Sequence, residues 1–310
     1  MERKIPLPQL LQNSGETHSA ASGSVVLRRT AAADYLALMK PELTLLSVLT
    51  AVGSSAIAMR GDVRLAPLVV TFIGTLFVGG GAGTLNQVLE REFDGRMKRT
   101  ERRPLPAGRI AAQDALSFGV LLSAAGVLVL TLFANLVAGI LAVLILASYL
   151  FVYTPLKRVT PFATVVGGIP GGLPPIIGWA VVRGSVSFDA WPLFFLLFFW
   201  QMPHFLSLAW MYRRDYARGG YKVLPVVDPG GAVTSRQILI FSAAMIPASV
   251  LPALTGLAGF VYCIGAFLLS LFFLAIAVLL FRQRSVTSAR RMFAASLVYL
   301  PTVFLLMMVG

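Results

Sequence analysis

Residues 258–281 read Ala-Gly-Phe-Val-Tyr-Cys-Ile-Gly-Ala-Phe-Leu-Leu-Ser-Leu-Phe-Phe-Leu-Ala-Ile-Ala-Val-Leu-Leu-Phe, without a charged side chain. About 20 apolar residues are enough for a helix to cross the hydrocarbon of a membrane. The stretch lacks the strict alternation of a barrel strand, so it predicts a membrane-spanning helix. Eight more runs of this kind complete a predicted set of nine spans, at about 43–60, 66–88, 114–133, 136–153, 162–182, 190–211, 237–256, 258–281 and 292–309.

The composition supports an all-α, polytopic membrane protein. Of the 310 residues, 57% are hydrophobic and 13% are charged, whereas soluble domains are about 25% charged. These values exclude a soluble domain, a disordered chain and a disulfide scaffold. The net charge of +13 need not indicate nucleic acid, because basic loops also face anionic membrane surfaces. The single cysteine, Cys263, excludes an intrachain disulfide and makes a cysteine metal site implausible.

The distribution of basic residues predicts the orientation of the chain. The N-terminal segment and the loops after spans two, four, six and eight contain 22 of the 26 Lys and Arg residues, and the other loops contain three. By the positive-inside rule we expect a cytoplasmic N-terminus and a C-terminus on the opposite side. Residues 1–33 predict a disordered cytosolic tail, with a mitochondrial transit peptide as the alternative. Residues 34–310 form the predicted membrane domain.

The end of span two carries the most informative polar residues. Asn86, Glu90 and Asp94 are four residues apart, so on a helix they form one stripe of oxygen atoms. Such a stripe can give one or two ligands to Mg²⁺ while phosphate oxygens and water complete the shell. The alternative is a solvated cap at the membrane edge, which is weaker for Asn86 and Glu90 because they still lie on the apolar helix. The basic residues that follow suit phosphate oxygens: Arg96, Lys98, Arg99, Arg102 and Arg103.

A second acidic and basic segment follows span six. Asp215 lies there among Arg213, Arg214, Arg218 and Lys222. Two such helix ends, one in each half of the chain, suggest metal ions that clamp one diphosphate between them. A clamp of this kind would stabilise the charge that develops as a C–O bond breaks.

Three segments resemble signatures of the intramembrane polyprenyltransferase superfamily, and the resemblance extends from about Leu38 to the C-terminus. The first is the stripe of span two with Met97, Arg99, Thr100, Arg103 and Pro104. The second contains Tyr-Thr-Pro-Leu-Lys-Arg at 153–158 and the glycine- and proline-rich residues 167–175. The third contains Pro203-His204-Phe205, Asp215-Tyr216, Gly219 and Leu224-Pro225. Within the superfamily, the haem-farnesylating branch resembles this chain most, because quinone prenyltransferases typically carry Asp at the position of Gly219.

The resemblance implies a nine-helix bundle around a central cavity open to the cytoplasmic side of a bacterial inner membrane. It implies transfer of a farnesyl group from farnesyl diphosphate to a vinyl group of haem B, a step of haem A biosynthesis that gives haem O. It implies Mg²⁺ held by Asn86, Glu90, Asp94 and Asp215, which are also the catalytic positions. The implied partners are the two substrates, membrane lipid and haem A synthase, with no nucleic acid. The implied diphosphate-binding residues are Lys40, Arg99, Arg103, Lys157, Arg158 and Arg214.

Three positions depart from the superfamily pattern. Glu42 stands where a basic residue is common, Ala163 where Asn is expected, and Glu90 where related branches have Asp. None removes an implied metal ligand. Glu42 weakens the case that Lys40 and its neighbour hold phosphate together.

Residues in spans five and six predict how a wide substrate could be accommodated. Three prolines and four glycines within 167–175 predict a break in span five, which a membrane tolerates where the break lines a cavity. His204 follows Pro203 on span six and predicts a contact with haem, or alternatively a hydrogen bond to a carbonyl freed by the proline. Gly79, Gly80, Gly81 and Gly83 predict close helix packing rather than a nucleotide loop. Two other functions stay open: prenylation of a quinone precursor, and transport of an anionic solute.

Overall fold

The computed structural model describes residues 30–309, and nine helices in that range are long and apolar enough to cross a membrane. The prediction of a nine-span, all-α protein is confirmed. The spans are Pro41–Ala58, Leu65–Asp94, Ala112–Phe133, Leu136–Leu156, Ala163–Arg183, Phe188–Met211, Ala232–Leu254, Phe260–Gln283 and Val286–Met308. Residues 1–29 of the predicted tail lie outside the described residues.

Helix bounds differ from the predicted ones where charged residues form helical turns. Span two continues to Asp94 rather than residue 88, span seven begins at Ala232 rather than 237, and span nine begins at Val286 rather than 292. Helices can extend beyond the hydrocarbon, where water and headgroups solvate charged side chains. Apolar runs therefore underestimate the helices at these ends.

The helices carry the following labels. They are α1 (Ala31–Leu38), α2 (Pro41–Ala58), α3 (Leu65–Asp94), α4 (Ala112–Phe133), α5 (Leu136–Ala147), α6 (Thr154–Leu156), α7 (Ala163–Gly172), α8 (Pro174–Arg183), α9 (Trp191–Met211), α10 (Arg213–Arg218), α11 (Leu224–Val227), α12 (Ala232–Leu254), α13 (Phe260–Gln283) and α14 (Val286–Val309). A π-helix, Ser148–Tyr153, joins α5 to α6 within span four. A short 3₁₀ helix, Phe188–Ala190, precedes α9.

The spans form a ring in which each span contacts the next. Thus α2 packs on α3, α3 on α4, and α4 on α5, while α9 links the broken span five to α12. The last span, α14, contacts both α9 and α2 and closes the ring. Small residues permit the close approaches: a Cβ added at Gly126 would lie 2.7 Å from the backbone nitrogen of Val78. This arrangement leaves room for a cavity inside the bundle.

Span five is broken, as its prolines and glycines predict. Helix α7 ends at Gly172, and α8 begins at Pro174 after Leu173. The Gln201 side chain of α9 donates from Nε2 to the carbonyl oxygen of Gly168 at 2.8 Å. A Cβ at Gly171 would lie 2.2 Å from Oε1 of Gln201, so a larger residue there would require the Gln201 side chain to move.

Helix α1 includes residues 31–33, which the sequence assigned to the tail, and it packs on the loop after α3. Thr30 caps α1, and the buried carboxylate of Asp34 accepts from Nε of Arg109 at 2.9 Å. A Cβ at Gly83 would lie 2.9 Å from the carbonyl oxygen of Met39. Glycine at this position of α3 therefore lets the α1–α2 turn rest directly on α3.

Candidate active site

The oxygen stripe predicted on span two is buried. Asn86, Glu90 and Asp94 lie in the last turns of α3, with exposures of 0%, 4% and 2%. Buried carboxylates require a compensating positive charge. Each member of the stripe contacts a basic side chain from a different part of the chain. We call these six residues the polar cluster: Lys40, Asn86, Glu90, Asp94, Arg103 and Lys157.

Lys40 reaches the stripe from a strained backbone position. It lies between α1 and α2 with φ 50°, a left-handed conformation that is uncommon outside glycine. Its Nζ donates to Oδ1 of Asn86. The next residue, Gln87, donates from Nε2 to the carbonyl oxygens of Ala37 and Leu38 at 3.0 and 2.9 Å. Two adjacent residues of α3 therefore hold the Lys40 side chain and the helix end before it.

Lys157 pairs with Glu90 at the end of span four. Its Nζ contacts Oε1 of Glu90 and lies 4.8 Å and 5.5 Å from the ring centroids of Tyr153 and Tyr221. Tyr221 is 2% exposed, and among the described residues none has hydrogen-bonding geometry with its hydroxyl. Burial, followed by the nearby Glu90 carboxylate, raises the pKa of Tyr221. The phenol therefore keeps its proton at neutral pH and can donate.

The two lysines of the cluster have opposite electrostatic surroundings. Burial lowers the pKa of Lys40 to about 7, and the positive charge of Arg103 contributes in the same direction. Burial alone would also lower the pKa of Lys157, but the adjacent Glu90 carboxylate raises it well above its usual value. The Glu90 carboxylate therefore favours the charged form of Lys157, whereas burial disfavours the charged form of Lys40.

The loop 95–111 folds back onto the end of α3 and also reaches the second half of the chain. Arg103 donates from Nη1 to Oδ2 of Asp94 at 2.7 Å. The Thr100 hydroxyl donates to the backbone carbonyl of Asp94 at 2.8 Å. The backbone N–H of Arg99 donates to Oδ2 of Asp215 at 3.3 Å. This last contact links the two acidic segments that the sequence singled out.

Asp215 has a more local environment than the stripe. It is 9% exposed and lies in α10, where Arg218, three residues later, forms an ion pair with it. Arg214 is exposed and forms no ion pair with any described residue. The guanidinium of Arg99 lies 5.4 Å from the ring centroid of Tyr212.

The six predicted diphosphate-binding residues therefore separate into three groups. Lys40, Arg103 and Lys157 belong to the polar cluster. Arg99 and Arg158 lie at its edge, where the Arg158 guanidinium is 4.3 Å from the ring centroid of Phe93. Arg214 lies outside the polar cluster.

His204 lies away from the polar cluster, between α9 and α14. It is 4% exposed, and its Nδ1 is 2.8 Å from Oγ of Ser296. Its ring packs between Trp200 and Phe293, with centroid distances of 4.9 and 4.7 Å. The structure therefore does not bring His204 together with the other predicted site residues. Its described hydrogen bond is to a hydroxyl on another helix, not to a carbonyl freed by Pro203.

An apolar cavity of about 200 Å³ lies inside the bundle next to the polar cluster. Lys40 is part of its wall, so the cavity begins at the cluster. Tyr149 and Tyr153 of the π-helix line it, as do Gly171 and Pro174 at the break of span five. An apolar chain could occupy the cavity while its charged end contacts the cluster.

The donor atoms of the site fit a partly coordinated Mg²⁺ ion. Within residues 30–309, no group of three or more His, Cys, Asp or Glu side chains could hold a metal alone. The stripe offers one amide oxygen and two carboxylates, all hard oxygen ligands. Lys40, Arg103 and Lys157 contact these oxygens, so a bound Mg²⁺ ion would have to take their place there. Phosphate oxygens and water would have to complete the shell of an ion bound here.

Several residues at the site have no role that could be predicted from the sequence. Thr154 accepts a hydrogen bond from Nδ2 of Asn86 at 2.9 Å, and Gln87 and Tyr221 make the contacts described above. Thr154 lies inside the quoted segment 153–158, and Gln87 follows Asn86 directly. Both positions are therefore next to predicted site residues. Their contacts could not be predicted, because their partners lie far away along the chain.

The model of the UbiA prenyltransferase family matches residues 46–304, most of the chain. The chain belongs to this family. Family members named protoheme IX farnesyltransferase are among its relatives. One from Solibacter usitatus is 45% identical over 284 residues, covering 89% of this chain and 97% of the relative. One from Salinibacter ruber is 45% identical over 276 residues, covering 89% and 98%. The mitochondrial protein of Arabidopsis thaliana is 38% identical and covers 93% of this chain and 67% of the relative.

Solved UbiA-family structures have the same fold. A digeranylgeranylglyceryl phosphate synthase aligns with a TM-score of 0.75 at 19% identity, over 90% of this chain and 98% of that one. A UbiA homologue from Archaeoglobus fulgidus, solved with DMAPP and Mg²⁺, aligns with a TM-score of 0.59 at 16% identity, over 87% and 99%. The predicted family, the prenyltransferase class and the multi-pass membrane architecture are therefore confirmed.

Proposed function

We propose that this UbiA-family prenyltransferase transfers the farnesyl group of farnesyl diphosphate to a vinyl group of haem B. The observation that carries the proposal is the buried polar cluster at the mouth of an apolar cavity. The names of its relatives at 45% identity support haem as the acceptor. The product is haem O, and haem A synthase is the enzyme proposed to receive it.

The diphosphate lies at the polar cluster in this proposal, with the farnesyl chain in the cavity. Lys40, Arg103 and Lys157 contact its oxygens, and Arg99 and Arg158 join them by a change of side-chain conformation. Asn86, Glu90, Asp94 and Asp215 would hold Mg²⁺, which would neutralise charge on the leaving diphosphate. The neighbouring A. fulgidus structures solved with Mg²⁺ and a prenyl diphosphate support the metal for this fold.

The residues of the chain act mainly by binding, orientation and exclusion of water. The C1–O bond of farnesyl diphosphate breaks, and its electron pair leaves with the diphosphate, whose charge the basic residues stabilise. The vinyl π electrons of haem form the new bond to C1, which leaves a cation conjugated with the porphyrin. Water adds to that cation and loses a proton, giving a hydroxyethylfarnesyl group. The apolar wall delays access of water until the C–C bond has formed.

His204 is the proposed haem contact. Nδ1 is engaged with Ser296, so Nε2 is the ring nitrogen that can face an iron ion. The neighbouring residues Trp200, Gln201 and Phe205 line the cavity. The vinyl group of a haem bound there must still reach C1 of the farnesyl diphosphate at the polar cluster.

The proposed orientation puts the polar cluster and the opening of the cavity on the cytoplasmic side. The 22-to-3 distribution of basic residues supports it. Single cysteines at exposed Gly95 and Ala217, with Cys263 replaced by Ser, should react with an impermeant thiol reagent from the cytoplasmic side alone. A cysteine at exposed Ser185 is the matched control and should react from the other side. Reaction of Gly95→Cys from outside would overturn the orientation.

The reaction itself is tested by mass spectrometry of haem extracted after incubation of the purified chain with farnesyl diphosphate, haem B and Mg²⁺. The expected product carries a hydroxyethylfarnesyl group and takes one heavy oxygen from ¹⁸O-labelled water. Wild-type rates in the presence of a chelator would overturn the metal role. Prenylation of a quinone precursor with unchanged haem would favour the quinone branch. Uptake of an anionic solute without any product would favour a transporter.

A further inference from the structure

Thr154 is a buried hydroxyl that joins span four to the oxygen stripe. It is 1% exposed and follows the π-helix Ser148–Tyr153 directly. Its Oγ1 is 2.9 Å from Nδ2 of Asn86, which is 68 positions away along the chain. It is also 2.8 Å from the backbone carbonyl of Tyr149. One hydroxyl therefore connects the backbone of the π-helix to a proposed metal ligand.

Contacts link Tyr149, Thr154, Asn86 and Lys40 in series. The donor and acceptor groups of these residues determine the direction of each hydrogen bond. The Tyr149 carbonyl can accept but not donate, so the Thr154 hydroxyl gives its proton to that carbonyl. Thr154 Oγ1 must then accept from Asn86, which requires an NH₂ group on that side. At the other end, the Lys40 amino group carries N–H donors and contacts the oxygen of Asn86. Both contacts agree with the same orientation of the amide.

We propose that Thr154 is a positioning residue that fixes the amide of Asn86 so that its oxygen, and not its NH₂ group, faces the polar cluster. The inference rests on the proposed function, in which that oxygen faces a metal ion. A reversed amide would present hydrogen atoms to a cation and could not coordinate it. The partner of a metal ligand commonly fixes the ligand's orientation in this way.

The π-helix gives Thr154 the rigidity that this role requires. Both the backbone N–H and the hydroxyl of Thr154 donate to the Tyr149 carbonyl, five residues earlier. Pro155 follows and has no N–H to offer, which favours a change of helical register here. π-Helical segments are rare and occur often at functional sites. In this chain the segment sets the position of the Thr154 hydroxyl.

Mn²⁺ binding in the presence of inorganic diphosphate, measured by electron paramagnetic resonance, tests the proposal without turnover. Thr154→Val keeps the shape of the side chain but cannot accept from Asn86, and its Mn²⁺ affinity should fall about 10-fold or more. Thr154→Ser keeps the hydroxyl and should remain within about twofold of wild type. Thr84→Val is the matched control, because Thr84 is buried on α3 and its hydroxyl bonds only to the Gly80 carbonyl of its own helix.

A second variant background, Asn86→Asp, separates the loss of amide orientation from general damage to the fold. A carboxylate has oxygen on both sides, so Asn86→Asp removes the need for an orienting partner. Thr154→Val should therefore cost less than about twofold in Mn²⁺ affinity when combined with Asn86→Asp. Thermal unfolding of each variant measures whether it is folded. If Thr154→Val is not stable in the membrane, Thr154→Ala replaces it in the same comparison.

Two results would overturn the proposal. One is unchanged Mn²⁺ affinity in Thr154→Val, and the other is an equal loss in the Asn86→Asp background. A wild-type chain that makes haem O without binding Mn²⁺ would overturn the proposed role of the metal. The role of Thr154 depends on that metal and would be overturned as well. Wild-type Mn²⁺ binding without prenylated haem would contradict the proposed reaction and leave the role of Thr154 measurable.

Discussion

The two acidic helix ends of this chain differ in how their charges are balanced. At the end of α3, Glu90 and Asp94 are nearly inaccessible to solvent, and their partners Lys157 and Arg103 come from other segments of the chain. At α10, Asp215 pairs with Arg218 on the same short helix, and that arginine side chain is 45% exposed. The first site is held by tertiary packing, and the second largely by local sequence. Perturbation of the first should therefore cost far more activity.

The largest effect is expected at the carboxylates of α3. Glu90→Gln and Asp94→Asn should reduce haem O formation below detection, because each removes a proposed Mg²⁺ ligand and leaves a partly buried cation without its counter-charge. Membrane fractions should contain as much of each variant as of wild type, as measured by immunoblot. A wild-type rate in either variant would contradict the assignment of the stripe.

A pair of arginines compares the two helix ends directly. Arg103→Ala leaves the buried Asp94 carboxylate without its counter-charge and removes a proposed diphosphate contact, so we expect a fall in kcat/KM of about 100-fold or more. Arg218→Ala removes a more exposed ion pair and no proposed diphosphate contact, so the fall should stay below about fivefold. Steady-state kinetics with farnesyl diphosphate give both numbers. Equal losses would show that the second helix end is as integral to the site as the first.

A smaller effect is expected from Gln87, which holds the end of α1. Gln87→Leu leaves two backbone carbonyls without their side-chain donor and should raise the KM for farnesyl diphosphate about 10-fold, since Lys40 loses its support. Little change is expected in kcat. Gln237→Leu, a glutamine of α12 outside the polar cluster, serves as the control. A fall in kcat with constant KM would assign Gln87 a different role.

The smallest effect on the diphosphate is expected from His204. His204→Ala should weaken haem binding and shift the optical spectrum of bound haem, while the affinity for farnesyl diphosphate changes less than about twofold. The two sites are separate, since His204 contacts Ser296 and Phe293 on α14. Ser296→Ala is the companion variant, because it loosens the imidazole without removing it. Equal loss of both affinities in His204→Ala would indicate a purely structural residue.

Much of the architecture could be predicted from sequence because it depends on local composition. The nine spans follow from apolar runs, and the break in span five follows from Pro170, Pro174 and the neighbouring glycines. The stripe follows from a spacing of four residues. Each of these is a property of one segment and needs no knowledge of its neighbours.

The pairing within the site could not be predicted in the same way. Lys157 was expected to bind diphosphate, but nothing in the sequence shows that it pairs with Glu90, because span four must first pack on α3. Arg214 was expected to bind diphosphate, and the sequence did not show that Arg218 pairs with Asp215, which it does because residues three apart share a helix face. Thr154 depends on a π-helix, for which the sequence shows no distinctive periodicity.

The length of α3 connects this chemistry to bilayer thickness. At about 1.5 Å per residue its 30 residues span about 45 Å, whereas the hydrocarbon of a bilayer is about 30 Å thick. The excess equals about ten residues, which is the length of the segment from Leu85 to Asp94. A thicker bilayer would draw this segment toward hydrocarbon or force the helix to tilt, and a thinner one would release it into the headgroup layer. Lipid acyl-chain length therefore sets the surroundings of the oxygen stripe without altering any side chain.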